Sequence, residues 1–350
     1  VKIYQEEGDG VHGKDQHSIV GVVKRPSAMI FMVDMLILCD GRHLFWYFAR
    51  LQQGATGRTG EPLRGCAQSV RPPGKLCMKT KEGGKMDEIW QEMKNTGRLA
   101  GRVVYYFATT ESTNSFALAL ARKAQTATGS LVVAESQSAG RGRLGRSWLS
   151  PDGAGLYFSL LLRPELAMAD LPKITLAAGL ALALAIEGQT GCAPALKWPN
   201  DLYLAGKKCG GILTETEGVA GPEATVVVVG IGLNVITPED AFPGVLGHTA
   251  TSLLAATGMV FQRGPLLAAI VRELEKAVAG LEQGGFPEIL AQWRARDIHR
   301  GRTVSWLNSQ GQVISGLSLG PDQDGLLRIR DASGRLHVVI SGDVSLAPPL

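Results

Sequence analysis

Leu196-Lys197-Trp198-Pro199-Asn200-Asp201-Leu202-Tyr203-Leu204, then Lys207-Lys208-Cys209-Gly210-Gly211-Ile212-Leu213-Thr214-Glu215, then Thr225-Val226-Val227-Val228-Val229-Gly230-Ile231-Gly232-Leu233-Asn234-Val235 form the stretch on which the fold turns. Leu196–Trp198, Leu202–Leu204 and Gly211–Glu215 are short and bounded by Pro, Asn, Asp and Gly, which suits the strands of a meander. The valine run in Thr225–Gly230 is β-branched and apolar on both faces, as in a central strand with both sides covered. Strands adjacent in sequence pair antiparallel through tight turns, so the expected sheet is largely antiparallel or mixed.

Working outward, Leu156–Leu162 is a second apolar strand expected to be buried on both faces. Ile174–Glu187 reads as a buried helix, and Pro265–Leu281 as an amphipathic one with Leu266, Ile270, Leu274 and Val278 in register. Val103–Phe107 and Leu131–Glu135 are expected strands, with a helix over Ser115–Arg122 between them. Beyond Arg300, Thr303–Leu307, Val313–Leu319, Leu326–Arg330, Leu336–Ile340 and Val344–Leu346 are short strands separated by Gly-containing turns, the pattern of a small β-barrel. The fold class is therefore α+β, a mixed-sheet domain over 86–297 followed by a small β domain over 298–350.

Residues 1–85 differ in texture. They hold 13 lysines and arginines against 8 acids, whereas 86–350 hold 23 against 24, so the net charge of +4 belongs to the N-terminal part. Gln52–Lys85 is rich in Gly, Pro, Arg and Lys without helical or strand period, while Met86 opens a helical pattern with Ile89, Trp90 and Met93 on one face. Residues 1–85 are left unassigned, as a disordered or non-native extension, an ordinary mobile tail fitting equally well. A winged-helix DNA-binding domain is not expected there, because no two helices with a turn between them can be read. The 5 cysteines are scattered, with neither a CxxC pair nor zinc spacing, which points to a reducing, cytoplasmic compartment. No apolar run reaches the roughly 20 residues of a membrane span.

Four groups of residues suggest chemistry. In Gly140-Arg141-Gly142-Arg143-Leu144-Gly145-Arg146-Ser147-Trp148, glycines allow close backbone approach and arginines offer charged forks for phosphate or carboxylate. A solvated basic loop, or an RNA-binding tract, would look similar. Lys197–Asp201 with Lys207–Leu213 reads as a site segment or as a surface hairpin on a buried Trp. Gly230-Ile231-Gly232 lacks the third glycine and following helix of a dinucleotide fingerprint. Ser112-Thr113-Asn114 precedes a helix, where N-capping alone explains it.

In their order, these groups resemble the biotin protein ligase family, together with Gln137 ahead of the loop, Ala250-Thr251-Ser252-Leu253, and Gly342-Asp343-Val344. The resemblance covers about residues 99–350. Cys209 and Gly210 stand where the family varies, and Asp343 where Glu is common; residues 1–85 have no counterpart. The resemblance implies a catalytic domain related to class II aminoacyl-tRNA synthetases with an SH3-like barrel behind it. It also implies a two-step reaction: biotin and ATP give biotinyl-5′-AMP and pyrophosphate, then a lysine of a biotin carboxyl carrier protein, of acetyl-CoA carboxylase or a related carboxylase, takes the biotinyl group.

Neither step needs an enzyme nucleophile. What they need is charge neutralisation, since two like charges at 4 Å repel by about 4 kcal/mol at an effective dielectric near 20. By resemblance, Arg143, Lys208 and Asp201 are catalytic, Asp201 orienting or deprotonating the incoming lysine; equally, it could simply pair with Lys197 or Lys208. Ser112, Thr113, Asn114, Gln137, Gly140, Arg141, Arg143, Lys208, Gly211, Gly230 and Leu233 would serve biotin. Arg143, Arg146, Trp148, Asn200, Lys208 and Asn234 would serve ATP, with Mg²⁺ on its phosphates. DNA and membranes are not expected partners, and a homodimer is compatible with the chain. The rival readings are a bifunctional ligase and biotin-responsive DNA-binding repressor, and a lipoate-type ligase.

Overall fold

The computed structural model describes residues 103–122, 126–217, 225–307, 312–340, 342 and 344–346, together with the backbone of three strands nearer the N-terminus. The chain forms two compact units, one of Val1–Asp9 with Thr80–Leu350 and one of Gly10–Lys79. β1 (Ile3–Tyr4) belongs to the first unit; β2 (Met35–Cys39) and β3 (Leu44–Phe48) pair antiparallel within the second. The helical pattern from Met86 to Met93 lies outside the described residues.

The first unit is built on an eight-stranded sheet. It joins β1 to β4 (Val104–Thr110), β5 (Leu131–Gln137), β6 (Gly155–Leu162), β7 (Ala195–Lys197), β8 (Asp201–Leu204), β9 (Lys207–Glu217) and β10 (Val226–Asn234) in the order β1-β4-β5-β6-β10-β9-β8-β7. The pairs β1–β4 and β4–β5 are parallel and the others antiparallel, so the sheet is mixed, as expected. Every residue of β6 is buried, and so are Val226 to Val229. Both strands sit in mid-sheet, where their uninterrupted apolar runs belong.

Helices cover both faces. α1 (Thr113–Ala121) packs on one face through Ala117, Leu120 and Ala121, against Phe107, Val132, Leu161 and Val228. The other face carries α2 (Lys173–Thr190), α5 (Arg263–Glu282) and α6 (Phe286–Ala295) in the main core. α2 ends on Gly191, whose φ of 70° lets its N–H close onto the carbonyl of Glu187 at 2.8 Å. Short helices α3 (Leu246–Thr249) and α4 (Leu253–Thr257) follow β10. Sequence reading missed α3, α4 and α6. For α6 the buried stripe Phe286, Ile289, Leu290 and Trp293 has helical spacing, but Gly284 and Gly285 mask its start as loop.

β8 and β9 are joined by Ala205 and Gly206, at φ 49° and 76°, the two-residue turn that favours a tight hairpin. The C-terminal strands β11 (Thr303–Leu307), β12 (Val313–Pro321), β13 (Leu327–Arg330), β14 (Leu336–Val339) and β15 (Val344–Leu346) form an antiparallel five-stranded sheet in the order β14-β13-β12-β11-β15. It is tied to the body by Trp198 Nε1, which donates to the Gly325 carbonyl at 3.0 Å, and by Arg294 Nε, which donates to the Pro321 carbonyl at 2.7 Å.

Candidate active site

A cleft opens beside the middle of the large sheet, and most of the residues singled out in the sequence line it. Ser112, Thr113, Asn114, Gln137, Arg141, Arg143, Arg146, Trp148, Asn200, Asp201, Lys208, Gly211 and Gly230 are all on its wall. Gly140, Leu233 and Asn234 are buried behind that wall. Any side chain at 140 would collide with the Trp148 carbonyl, so the glycine keeps the two arms of the loop together. Leu233 is core, and Asn234 Nδ2 donates to the Thr251 carbonyl at 3.0 Å, securing the Ala250–Leu253 motif to β10.

The neutral polar part of the cleft is cross-linked before any substrate arrives. Ser112 caps α1, accepting from Ser115 N–H, and lines the cleft as well. Gln137 Oε1 accepts from Thr113 N–H at 2.9 Å, and its Nε2 donates to Ser150 Oγ at 2.8 Å. Asn114 Nδ2 donates to the Leu213 carbonyl at 3.0 Å and to Glu215 Oε2 at 2.9 Å, while Ser159 Oγ donates to Asn114 Oδ1 at 2.6 Å. A Cβ on Gly230 would land on the Asn114 amide, so the glycine is what admits Asn114. Ser159 and Glu215 were missed by sequence reading. The signal for Ser159 was a small polar residue amid the aromatic and aliphatic side chains of its strand.

The charged part comes from the Arg/Gly loop and the β7–β9 hairpins. Gly142 N–H donates to the Arg146 carbonyl at 2.7 Å, and Trp148 N–H to the Gly140 carbonyl at 2.8 Å, closing the loop like a small hairpin. Its tip carries Leu144 at φ 56°, 67% exposed. Arg141 Nη2 meets Glu215 Oε1 at 2.6 Å, and Arg143 Nη1 donates to Asn200 Oδ1 at 3.2 Å. Lys208 Nζ lies 2.6 Å from Asp201 Oδ1 and 5.5 Å from the Trp148 ring centroid. Of the two readings of Asp201, the pairing with Lys208 is present in this structure. Trp148 is half-buried rather than core, its indole lying on the backbone of Gly211 and Gly232 with a buried N–H that has no hydrogen-bond partner.

Sequence reading gave no role to Gly232 or to the indole-side contact it makes: a Cβ there would sit 2.5 Å from Trp148 Nε1. Cys209, next to Lys208, is no nucleophile, because full burial pushes its thiol pKa up to about 12. Gly342 brings the C-terminal sheet to the cleft edge. Among the described residues, Asp201 is the only carboxylate on the wall, and it is engaged by Lys208, so the described residues offer no ligand set for Mg²⁺.

A sheet with helices on both faces, and a cleft whose loop arginines and lysine face a neutral hydrogen-bonding set, define an acid-activating ligase site. Residues 106–234 match the model of the biotin/lipoate A/B protein ligase family. The bifunctional ligase/repressor BirA of Bacillus spizizenii is 34% identical over 266 residues, covering 76% of this chain and 81% of that protein. The biotin–[acetyl-CoA-carboxylase] ligase of Mycobacterium tuberculosis is 36% identical over 246 residues, covering 68% and 86%. The structure of the Aquifex aeolicus biotin protein ligase in complex with biotin and ATP superposes with a TM-score of 0.60 at 30% identity, covering 70% of this chain and 99% of that one. The chain belongs to the biotin protein ligase family.

Proposed function

We propose that this chain is an ATP-dependent ligase that joins biotin to AMP and then to a lysine of a biotin carboxyl carrier protein. The observation that carries this reading is the meeting of Arg143, Arg146 and Lys208 with Ser112, Thr113 and Gln137 in one cleft. A carboxylate oxygen of biotin attacks the α-phosphorus, the bond to pyrophosphate breaks, and Lys208 and Arg143 take up the charge that builds on the phosphate. The lysine nitrogen of the carrier then attacks the acyl carbon and AMP leaves. Asp201 accepts the proton that the lysine must lose, once the phosphate has drawn Lys208 away. Ser112, Thr113 and Gln137 hold the ureido ring, and Trp148, Asn200 and Arg146 hold the adenylate. The C-terminal sheet is read as the SH3-like barrel, and the larger sheet as the class II synthetase-like core. The scattered cysteines support a reducing, cytoplasmic setting.

Biotin-dependent exchange of pyrophosphate into ATP is the expected activity, with none for lipoate or without acid. Exchange driven by lipoate would move the chain to that branch of the family. Relatives named as repressors raise a second role. The Gly/Pro-rich composition of Gln52–Lys85 argues against it, and a gel shift on operator-like DNA is expected to give only weak, salt-sensitive binding.

A further inference from the structure

Arg263, at the start of α5, is a cation with only 9% exposure, and none of its partners lines the cleft. Its Nη1 donates to Glu135 Oε2 at 2.6 Å and to the Gly155 carbonyl at 3.2 Å. The Tyr106 hydroxyl donates to the other Glu135 oxygen. Burial holds that hydroxyl far above its ordinary pKa, so it stays protonated and keeps donating. Of these three side chains, from α5, β5 and β4, Arg263 touches the backbone itself, at the stretch that opens β6. That stretch is the outgoing root of the Arg/Gly loop. Gly155 opens β6, and Gly153 N–H donates to the Glu135 carbonyl at 3.1 Å. Two residues along β5, Gln137 N–H donates to the Ser150 carbonyl at 3.3 Å.

A buried ion pair adds little net stability over an apolar pair of the same size, because desolvation offsets the attraction. It does impose direction: Glu135 accepts along fixed lines, and the Arg263 fork is planar. We propose that Arg263, Glu135 and Tyr106 are positioning residues that fix the outgoing root of the loop Gly140–Trp148, and so set Arg143, Arg146 and Trp148 over the substrates. This rests on the adenylation reading of the cleft.

The test uses the full chain with the apolar double variant Glu135→Leu/Arg263→Met, and with Arg263→Lys and Tyr106→Phe, each checked for a cooperative melt. The readouts are steady-state constants for ATP and trypsin cleavage after Arg143 at the exposed tip. In the double variant, kcat/KM for ATP is expected to fall by up to about 100-fold, the cost of misplacing groups by about 1 Å. Cleavage at Arg143 is expected to speed up several-fold, with Arg263→Lys and Tyr106→Phe falling in between. A folded double variant with wild-type constants and wild-type cleavage overturns the proposal. Should the double variant unfold, the same two readouts on the single variants decide, and wild-type values there overturn it. Absence of biotin-dependent exchange in the wild type would refute the ligase reading alone, since the trypsin comparison still judges the loop root.

Discussion

Lys208 stands between two partners, the Asp201 carboxylate at 2.6 Å and the phosphate it is proposed to meet. Because it would neutralise charge only as the transition state forms, Lys208→Ala should cut biotin-dependent pyrophosphate exchange by about 100- to 1000-fold. Biotin alone should still bind with measurable heat in calorimetry; loss of that binding would show that the lysine holds biotin rather than the phosphate. Arg143 calls for a different assay. Its fork reaches Asn200 across the cleft, so Arg143→Gly should let biotinyl-AMP escape while the fold stays intact. An avidin blot should then show labelling of bystander proteins, and tight retention of the intermediate would end that assignment. Gly230→Ala tests the neutral end: its methyl would displace the Asn114 amide, and biotin affinity should drop in the same calorimetry with ATP-site residues untouched.

Among elements, the β8–β9 hairpin decides where Asp201 and Lys208 meet. Its turn places Ala205 at φ 49°, a conformation that costs an L residue other than Asn or Gly about 1–2 kcal/mol. Ala205→Asn, which makes the preferred Asn-Gly turn, should raise stability by about 0.5–1 kcal/mol in a denaturant melt and leave exchange activity unchanged. A lower midpoint would mean that the Ala205 methyl makes a contact worth more than the relief of strain. This hairpin was only half legible in sequence. Leu202–Leu204 reads as a strand in the sequence, but the sequence opens β9 at Gly211 rather than at Lys207, because Lys207, Lys208 and two glycines look like loop when the neighbouring strands are unknown. The sheet supplies the ladder partners that hold those residues extended.

At the scale of the whole molecule, the connection between body and C-terminal sheet carries a half-buried acid, Asp297, with one carboxylate oxygen shut away from solvent. Asp297 bridges to Leu196, and its Oδ2, which has no hydrogen-bond partner, lies where a Cβ on Gly320 of β12 would come within 3.3 Å. Burial raises its pKa from 3.8 to about 6, opposed by the N–H groups of His299 and Arg300. A raised carboxylate favours the fold below its unfolded pKa, and that contribution is lost as pH rises through about 6. Asp297→Asn should therefore gain on the wild type by about 2 kcal/mol between pH 4 and pH 8, at 1.36 kcal/mol per pKa unit. Melts at the two pH values check this. A constant difference between variant and wild type would mean that Asp297 titrates normally.

The local facts were open to reading along the chain. Apolar runs in β6 and β10, the helical stripe of α5, the glycine–arginine loop and the Gly-punctuated C-terminal strands each follow from side-chain period and turn chemistry, which neighbouring residues set. The order of motifs was enough to name the family. Pairings across long stretches were not legible, because they depend on which surfaces become close after packing. Arg141 on Glu215, Arg263 on Glu135 from 128 positions away, and Trp198 on Gly325 are of this kind. So is the division between Lys208, Trp148 and Gly230 on the wall and Gly140, Leu233 and Asn234 behind it. Alternation along a strand says that two residues face opposite ways, and only the folded sheet decides which way is the cleft.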